Sequence, residues 1–197
     1  MKIMRYFLGI LLGILIILLN FRLIVFNYGF YEKENTNNIF AKDNSNEIKN
    51  LIRFLEEKKE INKSFFNEKE ELHLYDVRNL IQKTIYIFYL SFFIFILFII
   101  KYYKDIFNIT LISGIFLILT IIILFFLSFN NLFYNFHLIF FNNDLWMLDP
   151  SKDNLINLFP ESFFYNVFYR IIYNSFFTWT ILFLISILHF KVVKHKK

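Results

Sequence analysis

The 197-residue chain contains no cysteine, only two prolines and four glycines, and a single alanine, Ala41. Without cysteine there is no disulfide, no Cys-ligated zinc site and no thiolate nucleophile. Charged residues make up 19% of the chain, against 57% apolar and 22% aromatic residues. This composition excludes a disordered chain and an ordinary soluble domain. We expect one domain that spans residues 1–197.

The net charge of +5 does not indicate a nucleic-acid partner. Nucleic-acid-binding proteins concentrate Lys and Arg on one solvated face, whereas long uncharged stretches separate the basic residues here. We therefore expect no nucleic-acid partner, and we interpret the positive charge as a signal of membrane topology.

Four apolar runs approach the ~20 residues that a helix needs to cross a ~30 Å hydrocarbon core. They cover residues 6–26, 80–100, 106–129 and 164–190. Arg5 and Arg22 bracket the first run, and no small-residue pair follows it, which indicates an uncleaved anchor rather than a signal peptide. The predicted fold class is an all-α integral membrane protein with four transmembrane helices.

The charges outside these runs predict the orientation. The short flanks carry a basic excess from Lys2, Arg5, Lys101, Lys104, Lys191, Lys194, Lys196 and Lys197, with Asp105 as the only acidic residue among them. The positive-inside rule therefore places both termini and the 101–105 turn in the cytoplasm. The two long segments, 27–79 and 130–163, become extracytoplasmic loops. Residues 130–143 mix amides with aromatics, so we expect the second loop to be partly inserted at the interface.

The first loop contains two different patterns. Residues 32–46 are polar and have no apolar period, so we expect them to be irregular. Ile48, Leu51, Ile52 and Leu55 then fall at i, i+3, i+4 and i+7, which predicts an amphipathic helix whose polar side continues through residues 56–60. Residues 68–82 contain no helix breaker and are expected to form a helix that runs into the second span.

Two of the four histidines are candidates for chemistry. His73 lies about one turn before the second span and His137 lies just after the third, so the topology places both at one depth on the extracytoplasmic face. Asp76, three residues after His73, can accept from its imidazole on one helix face and raise its basicity. His189 and His195 lie among lysines at the C-terminal end and are interpreted as tail residues.

The second loop places His137 in a strongly apolar run, where an unpaired imidazole is costly. Further along, Asp149-Pro150 is typical of a helix cap followed by proline at the first helical position. We expect a short helix from there that contains Asp153 and ends at Phe159-Pro160. The loop is predicted to be a compact re-entrant or surface-lying hairpin.

These segments carry a resemblance to a known family. The motifs are His73-Leu74-Tyr75-Asp76-Val77-Arg78 ahead of a span, then Phe136-His137, Phe140-Phe141-Asn142-Asn143-Asp144, Trp146, Asp149-Pro150, Asp153, Leu155-Ile156, Pro160-Glu161 and Phe163-Phe164. With four spans and two outward loops, they resemble the bacterial lipoprotein intramolecular transacylases, Lit. The resemblance implies an acyltransferase of the bacterial cytoplasmic membrane, active at its extracytoplasmic face. Such an enzyme moves the sn-2 acyl chain of a diacylglyceryl lipoprotein from glycerol to the α-amino group of the N-terminal cysteine, which gives the lyso-form lipoprotein.

The residues permit this reaction. Ester aminolysis needs a base for the amine proton and a donor for the developing oxyanion. It needs no covalent acyl-enzyme, consistent with the absence of cysteine and of a Gly-x-Ser-x-Gly motif. We expect His73 and His137 to be catalytic, one charged and one neutral, in an order that the sequence leaves open. The supporting or substrate-binding residues are expected to be Asp76, Arg78, Asn143, Trp146 and Asp149. We expect no cofactor and no metal, a monomer, and diacylglyceryl lipoproteins and membrane lipid as partners.

Two alternatives stay open. His73, Asp76 and His137 have the composition of a two-histidine, one-carboxylate metal site, as in a metal-dependent membrane hydrolase, although no His-Glu-x-x-His motif supports it. The chain is also compatible with a non-catalytic membrane protein, either a sensor or a subunit that packs against a partner. A channel or transporter is disfavoured because the third and fourth spans carry no ionisable residue beyond Arg170 near an edge.

Overall fold

The computed structural model describes residues 2–195, without the side chains of Val193 and His195. This range forms nine α-helices and contains no strand, which confirms the all-α prediction. The helices are α1 (Lys2–Val25), α2 (Tyr28–Glu34), α3 (Ile39–Asp43), α4 (Ser45–Leu55), α5 (Glu68–Tyr102), α6 (Ile106–Phe125), α7 (Phe129–Phe140), α8 (Asn154–Leu158) and α9 (Glu161–His195). The side chain of His195 and the two lysines Lys196 and Lys197 of the basic tail lie outside the described residues.

Three stretches of the described residues are long and apolar enough to cross a membrane: Lys2–Val25, Glu68–Phe125 and Glu161–Val192. The second stretch contains both α5 and α6, joined by a single 3-10 turn over Tyr103–Asp105. The four predicted spans therefore fall in α1, α5, α6 and α9. That each of them makes a separate crossing stays a prediction.

The chain forms two compact units, and the expectation of one domain over residues 1–197 stays a prediction. The first unit comprises residues 1–21, 85–127 and 170–197. Its helices approach closely where glycine replaces a side chain. A Cβ on Gly114 would lie 2.3 Å from the Trp179 ring, and a Cβ on Gly9 would lie 2.5 Å from the Ile112 side chain. These contacts let α6 pack against α9 and α1.

Polar side chains also link the helices of the first unit. The Trp179 indole donates to the Thr110 carbonyl at 2.9 Å. The Arg5 guanidinium lies 3.0 Å from the Asp105 carboxylate, so the start of α1 is adjacent to the turn between α5 and α6. This adjacency is consistent with the predicted common side of these two basic flanks.

The second unit comprises residues 22–84 and 128–169, and it contains every candidate site residue. The expectation of irregular structure over residues 32–46 is wrong. Asn27 accepts from the Phe30 N–H and Asn38 from the Ala41 N–H, each at 3.1 Å, and so they cap α2 and α3. Side-chain capping by asparagine, with burial of a few apolar residues, offsets the missing apolar period.

The amphipathic helix of the first loop is confirmed as α4, in which Ile48, Leu51, Ile52 and Leu55 are all buried. Its predicted polar continuation through residues 56–60 is wrong. The helix ends at Leu55, and Glu57 adopts a left-handed backbone conformation with φ of 60°, which terminates helices.

The helix predicted over residues 68–82 is confirmed as the first part of α5. The short helix of the second loop begins later than predicted, because the Asp149 carboxylate stabilises a local turn instead of capping the helix. Its carboxylate accepts from the backbone N–H and the hydroxyl of Ser151 at 2.9 and 2.7 Å, and such local bonds compete with helix formation. Asp153, not Asp149, stands at the N-cap of α8. The helix ends at Leu158, just before Phe159-Pro160, as predicted.

Candidate active site

His73 lies in the second turn of α5, and its side chain is 6% exposed. Its position seven residues before Leu80 keeps it outside the apolar part of that helix. The Nδ1 atom is buried and has no hydrogen-bond partner in the described part of the chain. His73 is thus a ring with an unused polar atom, which is unusual for a buried group.

His137 lies near the end of α7 and is 8% exposed. Its Nδ1 is 2.6 Å from the carbonyl oxygen of Phe133, one turn earlier. A carbonyl oxygen can only accept, so Nδ1 carries the proton and Nε2 retains its lone pair. The helix itself therefore sets the tautomer of this histidine.

The two histidine rings lie beside each other. Their ring centroids are 6.2 Å apart with an interplanar angle of 32°. The Phe141 ring contacts both, at 5.2 Å from His73 and 5.6 Å from His137. Trp146 stacks on His137 at 4.7 Å with an angle of 29°. Two imidazoles separated by 64 positions in the chain thus share one aromatic environment.

Burial keeps both histidines uncharged. Desolvation is the largest effect on the pKa of His73, followed by the nearby His137, and together with the cation of Lys69 they outweigh the opposing charge of Asp76 and lower that pKa to about 4. Desolvation also lowers the pKa of His137, opposed by its hydrogen bond to the Phe133 carbonyl. At neutral pH both rings are neutral, whereas the sequence led us to expect one charged and one neutral ring.

Asp76 is held by the second loop rather than by His73. Its Oδ2 accepts from the side-chain amide of Asn143 at 2.9 Å. The predicted hydrogen bond from the His73 imidazole to Asp76 does not occur among the described residues, and Asp76 acts on that imidazole through its charge. Asn143 therefore joins the loop to α5 beside the histidines.

Arg78 and Asp149 lie in other surroundings. The Arg78 guanidinium packs on the rings of Phe54 and Tyr75, 4.5 and 4.8 Å from their centroids. Asp149 is exposed and bonds within its own turn. In the part of the chain that the structure describes, neither side chain makes a hydrogen bond or ring contact with a histidine, although both belong to the same unit as the histidines.

A polar cluster that we did not predict attaches the second loop to the start of α5. Asn67 accepts from the Glu70 N–H at 3.0 Å and Glu70 accepts from the Asn67 N–H at 2.8 Å. Asn67 also donates to Asp153 at 2.7 Å, and Glu70 accepts from the Leu155 N–H at 2.5 Å. The spacing Asn-x-x-Glu ahead of a helix is the signature of a capping box, so this signal was present in the sequence.

Lys69 adds another attachment by donating to the Met147 carbonyl. The segment that carries Trp146 is thus fixed to α5 on both sides, through Asn143 before the tryptophan and through Met147 after it. The His73 ring of α5 lies next to His137. Attachment of the loop to α5 therefore also keeps Trp146 close to His137, on which it stacks.

Within residues 2–195 no group of three or more His, Asp or Glu side chains is arranged to hold a metal ion. A shallow open depression of about 370 Å³ contains none of the predicted site residues. It is lined by Arg22, Leu23, Phe26, Asn27, Tyr28 and Glu56.

The chain resembles solved structures of one membrane protein. It is 22% identical to the membrane-integral lipoprotein intramolecular transacylase Lit from Bacillus cereus, with a TM-score of 0.78 and coverage of 100% of this chain and 99% of that one. A histidine-to-arginine variant of that protein gives 20% identity and a TM-score of 0.78, over 100% of this chain and 94% of that chain. A histidine-to-alanine variant gives 21% identity and a TM-score of 0.74, over 99% of this chain and 94% of that chain. No curated protein matches the chain.

The family model described as lipoprotein intramolecular transacylase Lit matches residues 1–164 of the 197. The matched range includes both histidines and all of the supporting residues. The chain therefore belongs to the Lit family and is a membrane-integral acyltransferase, a lipoprotein intramolecular transacylase.

Proposed function

We propose that this enzyme transfers the sn-2 acyl chain of a diacylglyceryl lipoprotein from glycerol to the α-amino group of its N-terminal cysteine, with His73 and His137 as the catalytic pair. The 6.2 Å separation of the two buried rings carries the proposal. A group held beside both rings is within reach of a base on one and a donor on the other. Nucleophile and ester belong to one substrate, so orientation supplies much of the rate.

His137 is the general base in this proposal. Its Nδ1–H donates to the Phe133 carbonyl, which leaves the Nε2 lone pair available. Burial lowers its pKa, so the ring is neutral and able to accept a proton at neutral pH. Stacking on Trp146 limits rotation of the ring and therefore fixes the direction of that lone pair.

His73 is the general acid. The amine nitrogen attacks the sn-2 ester carbonyl carbon, and His137 Nε2 takes the proton that the nitrogen loses. The protonated His137 passes a proton to the neighbouring His73. The bond between that carbon and the sn-2 oxygen then breaks, and this oxygen receives a proton from the protonated His73, so both rings end neutral and the products are an amide and a free glycerol hydroxyl. Release of the oxygen as an alcohol avoids a charged alkoxide in an apolar site.

The supporting residues fall into two groups. Trp146 and Asn143 are proposed to shape the site, because one stacks on His137 and the other attaches the loop to Asp76. Arg78 and Asp149 are proposed to hold the surrounding structure: Arg78 through the rings of α4 and α5, and Asp149 through its turn.

We further propose four crossings, cytoplasmic termini and a site at the extracytoplasmic face of a bacterial cytoplasmic membrane. The distribution of basic residues supports this topology, as does the ion pair between Arg5 and Asp105. The exposed apolar residues of α7, with Ile139 at 72% exposure, support an inserted second loop. A monomer without cofactor or metal, acting on lipoprotein in membrane lipid, completes the proposal.

The experiment is expression in a bacterial host that lacks any such enzyme, followed by mass spectrometry of a lipoprotein N-terminus. The unchanged protein should convert the diacylglyceryl form to the lyso-form, and His73→Ala and His137→Ala should each abolish the product while inserting normally. His189→Ala is the matched control and should leave the product unchanged. Persistence of product in either of the first two variants refutes the catalytic pair.

Addition of a strong chelator distinguishes the metal-dependent alternative. Activity of the unchanged protein should survive the chelator. Loss of activity that added divalent metal restores would favour the hydrolase reading of His73, Asp76 and His137.

A further inference from the structure

Asp76 is a carboxylate without a cationic partner beside two neutral histidines. Its only hydrogen bond among the described residues is the one that Oδ2 accepts from Asn143. No Lys or Arg of the described residues lies within ion-pair distance of it, although four ion pairs form elsewhere in that part of the chain. The side chain is half-buried, so it is accessible from outside the protein.

The other groups around Asp76 are either uncharged or are cations whose hydrogen bonds and ring contacts are made elsewhere. On α5, His73 lies three residues earlier on the same helix face, and its titration responds to Asp76, Lys69 and His137. Lys69 is engaged with the Met147 carbonyl, and Arg78 is engaged with two aromatic rings. From the loop, Asn143 offers an amide and Asp144 is exposed. A cation bound to the Asp76 carboxylate would thus find no competing cation in contact with that carboxylate and only neutral histidine rings nearby.

We propose that the Asp76 carboxylate, presented by Asn143, binds the α-ammonium group of the lipoprotein's N-terminal cysteine. The inference rests on the proposed function, because it names the substrate group that this site receives. An ionised carboxylate without a cationic partner favours a cation from the substrate, since a charge-assisted hydrogen bond is roughly twice as strong as one between neutral groups.

Binding of the ammonium group at Asp76 positions the amine for the acyl transfer. Binding at Asp76 brings the amine nitrogen to the His73 and His137 pair before it becomes nucleophilic. The ammonium releases one proton to water and then, as the neutral amine attacks, gives a second to His137 Nε2. The free α-amine is thereby a recognised feature of the substrate as well as its nucleophile, so a lipoprotein already acylated on nitrogen binds without this contact.

The test uses two synthetic S-diacylglyceryl-cysteine peptides, one with a free α-amine and one N-acetylated, and the full chain in lipid nanodiscs. The His137→Ala background removes turnover. At about pH 6 the free amine is charged, because its ordinary pKa is about 7.7–8.0, and it should bind about tenfold more tightly than the acetylated peptide, as a charge-assisted hydrogen bond predicts. At about pH 9.5 the preference should disappear.

Asp76→Asn should remove the preference at pH 6 and leave the affinity for the acetylated peptide unchanged. Asp76→Glu should restore part of it. Asp144→Asn is the matched control, a neighbouring exposed carboxylate whose neutralisation should change nothing. If Asp76→Asn lowers the affinity for both peptides equally, Asp76 has a structural role and the proposal is overturned.

Two measurements without any Asp76 variant separate the two proposals. Equal binding of the two peptides to the His137→Ala protein at pH 6 overturns the ammonium site even if the unchanged chain makes lyso-form product. Absence of product from the unchanged chain, with the amine preference intact, overturns the catalytic proposal instead. The two failures are therefore distinguishable.

Discussion

The carboxylate of Glu70 accepts the backbone N–H of Leu155 at 2.5 Å, and so it joins the start of α5 to the start of α8. Glu70 is 1% exposed and also accepts from the N–H of Asn67. Glu70→Gln replaces one of two acceptor oxygens by an amide that faces a backbone donor. A buried donor without a partner costs about 1–3 kcal/mol, and thermal unfolding in detergent should show a lower midpoint.

Glu68→Gln is the control for this prediction. Glu68 lies in the same first turn of α5 but is exposed, so its neutralisation should leave the midpoint nearly unchanged. An unchanged midpoint in Glu70→Gln as well would show that the capping box contributes nothing measurable to stability.

Trp146 should affect turnover through the orientation of His137. The two rings stack at 4.7 Å, and an aromatic pair of this kind contributes about 0.5–1.5 kcal/mol. Trp146→Ala should therefore lower kcat about threefold to tenfold, because the His137 ring becomes free to rotate. Trp146→Phe retains a ring and should keep most of the activity. Initial rates of lyso-form production measure the difference.

Met147→Ala is the neighbouring control, since this side chain is 46% exposed and Lys69 bonds to its backbone carbonyl. Its kcat should equal that of the unchanged protein. If Met147→Ala and Trp146→Ala lower kcat equally, the loop as a whole is responsible and the stacking contact is not.

The buried state of His73 predicts a dependence of stability on pH. Its folded pKa is about 4, whereas the unfolded chain has a value of about 6.5. Between these values the unfolded state binds more protons, so stability rises with pH across this window. At pH above 6.5 neither state is charged and the full contribution is present; it is lost as pH falls towards 4, by up to about 3 kcal/mol.

Thermal midpoints measured from pH 4 to pH 8 check this. His73→Gln should flatten the slope between about pH 4 and 6.5, because glutamine does not titrate. An equal slope in the unchanged protein and in His73→Gln would contradict the lowered pKa of His73.

The histidine pair was predictable because it follows from long-range topology rather than from local geometry. Apolar runs near 20 residues and the distribution of lysines place His73 and His137 at one depth on one face. The amphipathic period of α4 was equally readable, since burial of Ile48 and Leu51 follows directly from helical spacing. Each of these signals extends over many residues and survives local variation.

The errors lie where single side chains decide the outcome. Whether Asp149 caps a helix or closes a turn depends on whether its carboxylate meets Ser151 or a helical N–H, and the sequence permits both. The partner of Asp76 proved to be Asn143, 67 positions away, and no local pattern indicates that choice. The charge state of the histidines likewise depends on burial, which is a property of the packed structure.

Gly114 lies where α6 meets α9. A Cβ at this position would lie 2.3 Å from the Trp179 ring, closer than any side-chain contact permits. The indole cannot move away freely, because its nitrogen donates to the Thr110 carbonyl on α6. Gly114→Ala should therefore cost about 1–3 kcal/mol through overpacking, visible as a lower unfolding midpoint and less folded protein in the membrane.

Gly29→Ala is the matched control, because its added Cβ would meet only the Asn27 side chain, at an ordinary 3.4 Å. Trp179→Leu in the Gly114→Ala background should recover part of the loss by freeing space at the cost of one hydrogen bond. If Gly114→Ala unfolds at the same temperature as Gly29→Ala, the helices do not approach each other as closely as this glycine allows.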